Sequence, residues 1–110
     1  MPRNRHHDRF STPAALLDYE IIQEQASALG RLGRALEAAL ASLREFDNAH
    51  QSSNGSPAER QARRALAAEA GLALWMFVVQ REACGLRDNH TLMRDYKVPP
   101  DVQKRMGVFP

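Results

Sequence analysis

A chain of 110 residues, 44% of them apolar and 6% aromatic, is long enough for one domain with a modest core. Its single cysteine excludes an internal disulfide framework, and no apolar N-terminal segment reads as a secretion signal, so a reducing cytoplasm is the expected setting. The formal charge of +2 lies in residues 1–13, where Arg3, Arg5 and Arg9 outweigh Asp8; the remainder balances twelve basic against twelve acidic side chains, so the high pI is weak support for nucleic-acid binding.

Residues 1–11, MPRNRHHDRFS, are polar and basic, and a disordered tail is expected over residues 1–12. His6 and His7 have no third ligand beside them and read as solvated tail, not as a metal site. Thr12 followed by Pro13 marks a helix start, with Thr12 as N-cap and Pro13 at the first helical position. From there a helix is expected over residues 13–48. Ile22, Leu29, Leu36 and Leu43 recur every seven residues beside a second row of Gln25, Leu32, Ala39 and Phe46, an a/d seam of the coiled-coil kind that predicts lengthwise packing on another helix. Gly30 and Gly33 interrupt this helix at a combined cost of about 2 kcal/mol relative to alanine. That cost implies close approach of a neighbouring backbone or of a bulky side chain such as Trp75. The pair is not a phosphate loop, because no strand precedes it.

Residues 50–56, HQSSNGS, form the clearest linker. Ser56, Pro57 and Glu59 then read as N-cap, first helical residue and capping-box partner, which starts a second helix over residues 57–84, with Gly85 as its stop. The short connection makes the two helices antiparallel neighbours. A row of Ala62, Ala65, Leu66, Glu69 and Leu72 is expected to face the first helix, with Glu69 bridging to Arg31 or Arg34. Residues 72–79, LALWMFVV, contain no polar side chain, so this part of the helix is apolar on every side. Glu69 and Arg81 bracket it far short of the ~20 residues that cross a bilayer. It is therefore expected to be a core helix with partners on several sides.

Residues 86–98, LRDNHTLMRDYKV, give a third helix, expected over residues 89–97 and capped by Asp88 or Asn89. Pro99 and Pro100 end it, and a last short helix is expected over residues 100–106 with Val98, Val102 and Met106 on its apolar edge. The two short helices should fold back as a clasp over the hairpin, so that residues 13–110 form a single helical domain.

Three stretches together resemble a family of small uncharacterised all-helical proteins associated with alphaproteobacteria, a domain of unknown function. They are residues 17–37 (LDYEIIQEQASALGRLGRALE), 75–88 (WMFVVQREACGLRD) and 94–107 (RDYKVPPDVQKRMG). The resemblance implies an all-α architecture and a bacterial cytoplasmic setting, and brings no activity, cofactor or functional residue with it.

Residue patterns for chemistry are sparse. Carboxylate-bridged metal sites in bundles need Glu-x-x-His, which does not occur, and Glu20 with Glu24 reads as a solvated acidic patch. Cys84 falls at the negative end of a helix, which disfavours its thiolate; His90 lies six residues on, so cysteine-dependent catalysis is a distant third reading. Arg81, Glu82, Arg87 and Asp88 alternate in sign and are expected to fix the clasp through ion pairs.

The fold expected is all-α: a long antiparallel helical hairpin with two short C-terminal helices. Two such hairpins are expected to dimerise into a four-helix bundle, second helices near the middle, with Leu74, Trp75, Phe77 and Val78 at the dimer interface or core. The function expected is a non-enzymatic, homodimeric interaction or scaffold protein with no cofactor, no metal, no membrane segment and a partner of unknown identity. The alternative is a small nucleic-acid-binding regulator that uses the helix-turn-helix-like C-terminal segment and basic tail, through Arg3, Arg5, Lys104 and Arg105.

Overall fold

The computed structural model describes residues 12–52 and 54–107, which form four α-helices and, among the described residues, no strand. They are α1 (Pro13–Ala49), α2 (Pro57–Ala83), α3 (Asn89–Asp95) and α4 (Pro100–Arg105). The expected disordered tail, with His6, His7, Arg3 and Arg5, lies outside the described residues apart from Thr12.

Local chemistry sets the helix ends. Thr12 Oγ1 accepts from the Ala15 amide and Ser56 Oγ accepts from the Glu59 amide, both at 3.1 Å, so each long helix begins with a side-chain cap and a proline whose missing N–H is no loss. At the end of α2, Gly85 takes a φ of +85°, the Leu86 amide donates to the Arg81 carbonyl and the Gly85 amide to that of Glu82, which together form a Schellman turn. The end of α3 repeats this pattern with a lysine. Lys97 sits at φ +53° while the Val98 amide donates to the Met93 carbonyl and the Lys97 amide to that of Arg94. The Asp88 carboxylate caps α3 by accepting from the Thr91 amide and hydroxyl, and these bonds hold it below the usual carboxylate range.

Helices α1 and α2 run antiparallel in a fixed register. Gly33 lies against Phe77 at one point and Asp47 against Arg63 at another; both pairs of numbers sum to 110, which puts Ala83, the last residue of α2, level with Ser27 of α1. Along this register Leu36, Leu40 and Leu43 of α1 close over Ala67, Ala70, Leu74, Phe77 and Val78 of α2. The clasp completes the core from the other side with Leu92, Val98 and Val102. Phe77 also meets the Tyr96 ring edge-on at a centroid distance of 5.6 Å.

Two glycines explain how the layers approach so closely. A Cβ on Gly33 would lie 3.2 Å from Tyr96 Oη and 3.3 Å from Phe77 Cζ, so the bulky neighbour is Phe77 and not Trp75 as expected. A Cβ on Gly71 would come within 2.9 Å of Arg105 Cβ and 3.3 Å of the Arg105 carbonyl oxygen; α4 lies directly on this glycine. Gly30 does not fit this account, because the nearest atoms to an added Cβ belong to the flexible guanidinium of its own neighbour Arg34.

The clasp is latched by Arg63. Its guanidinium donates to both carboxylate oxygens of Asp47 at 2.8 and 3.2 Å and to Asp101 of α4 at 2.7 Å, tying the base of the hairpin to the last helix. These bonds raise the Arg63 pKa and lower that of Asp101. The expected network of Arg81, Glu82, Arg87 and Asp88 is not the latch. Arg81 instead lies over the Phe77 ring, 5.8 Å from its centroid, and reaches the Asp88 carbonyl at 3.4 Å.

Two sequence expectations are corrected here. Leu74, Phe77 and Val78 are buried inside the single chain, at 0%, 5% and 2% exposure, so no second chain is required to cover them. The row expected to face α1 is also out of phase: Ala62, Ala65, Glu69 and Leu72 are exposed, and the contact row is Leu66, Ala67, Ala70, Leu74 and Phe77. A one-residue change of position rotates a helix by about 100°, enough to exchange its inner and outer faces.

Candidate interaction surface

The most distinctive feature outside the core is a length mismatch. Helix α1 has 37 residues and α2 has 27, and because α2 ends level with Ser27, about fourteen residues of α1 project past it by ~21 Å. The seam expected along α1 therefore loses its partner partway. Leu36 and Leu43 are buried on it and Leu29 is half-buried, but Ile22, in the same row, is 61% exposed.

The overhang nonetheless carries large apolar side chains among its acidic ones. Leu16, Leu17, Ile21 and Ile22 are all exposed along its surface, Leu17 at 57% and Ile21 at 47%. Helical spacing puts Leu17 and Ile21 one turn apart, on the same side as Ala28, Leu32, Ala35 and Ala39 further along α1. There the apolar side widens into a groove of about 450 Å³ between α1 and α2, on the face opposite the clasp. Leu32, Ala35, Ala38, Ala39 and Ser42 form one wall; Glu69, Leu72, Ala73 and Met76 form the other. Leu72, Met76 and Val79 are each close to half exposed. The apolar run of α2 is thus divided: Leu74, Phe77 and Val78 meet the core, Leu72, Ala73 and Met76 line this groove, and Val79 stands exposed.

The other sequence candidates are dispersed. Trp75 is 37% exposed on the clasp side, its ring 3.5 Å from where a Cβ on Gly107 would stand. Glu69 is exposed on the groove wall, while Arg31, one of its expected partners, lies 3.8 Å from Glu24. Cys84 is half-buried at the C-cap of α2; its sulfur accepts from Gln80 Nε2 at 3.7 Å, and no hydrogen bond joins it to His90. Lys104 is exposed, but Arg105 is half-buried with its backbone against Gly71, and α4 is only six residues long. A helix that short, pinned along α2 with Val102 fully buried, has little free face to enter a major groove. Among the described residues no three His, Cys, Asp or Glu side chains converge as metal ligands. No described helix is long and apolar enough to cross a membrane.

Sequence reasoning overlooked Leu17, Ile21 and Met76 as surface residues. The signal was available in the expected bounds, since a helix over residues 13–48 must outrun one over residues 57–84.

Fold and surface define a class: an all-helical hairpin, clasped at one face by two short helices and bearing an apolar side that its own chain leaves open. Within that class the chain belongs to DUF6665, a family of unknown function, whose profile matches residues 7–110. The resemblance read from residues 17–37, 75–88 and 94–107 thus leads to a family of unknown function that covers nearly the whole chain. No curated protein matches the chain, and no solved structure does.

Proposed function

We propose that the protein is a non-enzymatic, homodimeric interaction protein of the bacterial cytoplasm, a helical scaffold that works through the surface it presents. One observation carries this reading: the exposed Leu17 and Ile21 on the overhang of α1 stand on the same side of the helix as the apolar groove between α1 and α2, with one polar turn at Glu24 and Gln25 between them. Exposed large apolar residues scattered singly are ordinary on a monomer, whereas a contiguous patch of them marks a contact surface. Completing the burial of a half-exposed leucine, isoleucine or methionine is worth ~1 kcal/mol each. The interface proposed here replaces the one expected from sequence. It uses Leu17, Ile21, Leu72 and Met76 in place of Leu74, Phe77 and Val78, and it brings the first helices, not the second, to the middle of a four-helix bundle.

Sedimentation velocity across micromolar concentrations tests the proposal. A species of twice the 12.3 kDa chain mass is the expected result. A single species of one chain mass throughout the series would overturn it.

A further inference from the structure

Resting on that reading, we infer that the two chains pair antiparallel about a two-fold axis near Ala28, the overhang of each α1 lying in the groove of its partner. Three independent features of the chain fit this occupant.

The first is shape. A two-fold at residue 28 sets residue i of one α1 against residue 56 minus i of the other, and the hairpin register then brings in residue 54 plus i of the partner's α2. Leu17 therefore falls beside positions 39 and 71–72, and Ile21 beside positions 35 and 75–76. The groove is lined at these two levels by Ala39 with Leu72 and by Ala35 with Met76. Large side chains one turn apart on the overhang meet the small Ala39 and Ala35 on the α1 wall, with Leu72 and Met76 of α2 flanking them, which is the arrangement of knobs in holes.

The second is charge. Residues 13–27 contain Asp18, Glu20 and Glu24 and no basic side chain, whereas residues 29–43 contain Arg31 and Arg34 against Glu37. The antiparallel arrangement lays a segment of charge −3 along an α1 wall of +1, which Glu69 on the α2 wall brings to zero. A parallel arrangement would lay −3 along −3, and like charges at such spacing repel.

The third is length. The overhang runs for ~21 Å and the groove wall from Leu32 to Ser42 for ~15 Å; in this register the wall faces residues 14–24, so Leu17 and Ile21 both fall within its span and about one turn of the overhang is left over. Because the contact is isologous, both overhangs and both grooves are filled at once and the assembly closes at two chains.

Single-cysteine variants in a Cys84→Ser background, treated with a short bifunctional maleimide, test the arrangement. Ala28→Cys should cross-link to its own copy. Ser42→Cys should not, since its two copies stand ~42 Å apart in this register. An equimolar mixture of Leu17→Cys and Ala39→Cys should give a cross-linked pair that neither variant gives alone. A sedimenting dimer whose Ser42→Cys variant self-links as readily as Ala28→Cys is parallel, and a dimer with no link at position 28 uses another face. Either result overturns the arrangement and leaves the homodimer standing. A monomer overturns both.

Discussion

Replacing Arg63 by methionine keeps most of its aliphatic stem and removes the latch between the base of the hairpin and α4. The guanidinium makes two bonds to Asp47 and one to Asp101, all between 2.7 and 3.2 Å, but its side chain is 37% exposed and both carboxylates 45%. Solvent screens such pairs, so each contributes ~0.5–1 kcal/mol and not the several kcal/mol that follow the breaking of a buried pair. Loss of both, with some repulsion left between Asp47 and Asp101, amounts to ~1–2 kcal/mol. For a domain of this size that lowers Tm by roughly 5–15 °C. Calorimetry should compare the proteins at one fixed chain concentration, because self-association raises apparent stability. A double-mutant cycle with Asp101→Asn then isolates the pair, with a coupling of ~0.5–1 kcal/mol expected. Additivity within ~0.3 kcal/mol, or an unchanged Tm in Arg63→Met, would refute the latch.

Acid should release the same contact. The Asp101 carboxyl is held below its ordinary value of ~3.9 by Arg63, so its contribution is complete above that pH and is lost as pH falls through the lower, folded-state value. The stability gap between wild type and Arg63→Met should accordingly narrow below about pH 4 in urea melts, and a gap that widens on acidification would contradict the assignment. The glycines of α1 should separate: Gly30→Ala is expected to stabilise by up to about 1 kcal/mol, since only a flexible guanidinium must move, whereas Gly33→Ala should gain nothing or lose, being wedged by Phe77 and Tyr96. Equal gains at both positions in chemical denaturation would show that the Phe77 contact does not constrain the helix. Lys97→Gly should raise stability by ~0.5–1 kcal/mol by relieving a left-handed backbone at a helix end, and a loss there would count against that geometry.

What the sequence made legible was punctuation. Thr12-Pro13, Ser56-Pro57 and Gly85 announce helix ends through groups that act within a few residues of themselves, and the structure uses each in that role. The phase of α2 was not legible, for a reason visible in its composition. Residues 72–79 contain no polar side chain to mark the solvent side, and Ala62 and Ala65 outside are chemically identical to Ala67 and Ala70 inside. Only long-range contacts decide between them: Arg105 settles on Gly71, and Leu92, Val98 and Val102 join the side of α2 that becomes the core. Lys97 carried no warning either, because the turn it occupies elsewhere takes glycine. The candidate surface was half legible. The seam through Leu29, Leu36 and Leu43 was readable as a row, but that Ile22 would stand clear of α2 followed only from comparing two helix lengths.

Ile21→Glu bears most directly on the claim that the open side of the hairpin is covered by a second copy. Ile21 is 47% exposed on a part of α1 that extends beyond the end of α2, so the substitution spares the core of one chain while setting a charge against the partner's groove. Sedimentation equilibrium should give twice 12.3 kDa for the wild type and 12.3 kDa for the variant, with helical circular dichroism retained. A variant that stays dimeric at wild-type affinity would contradict the account.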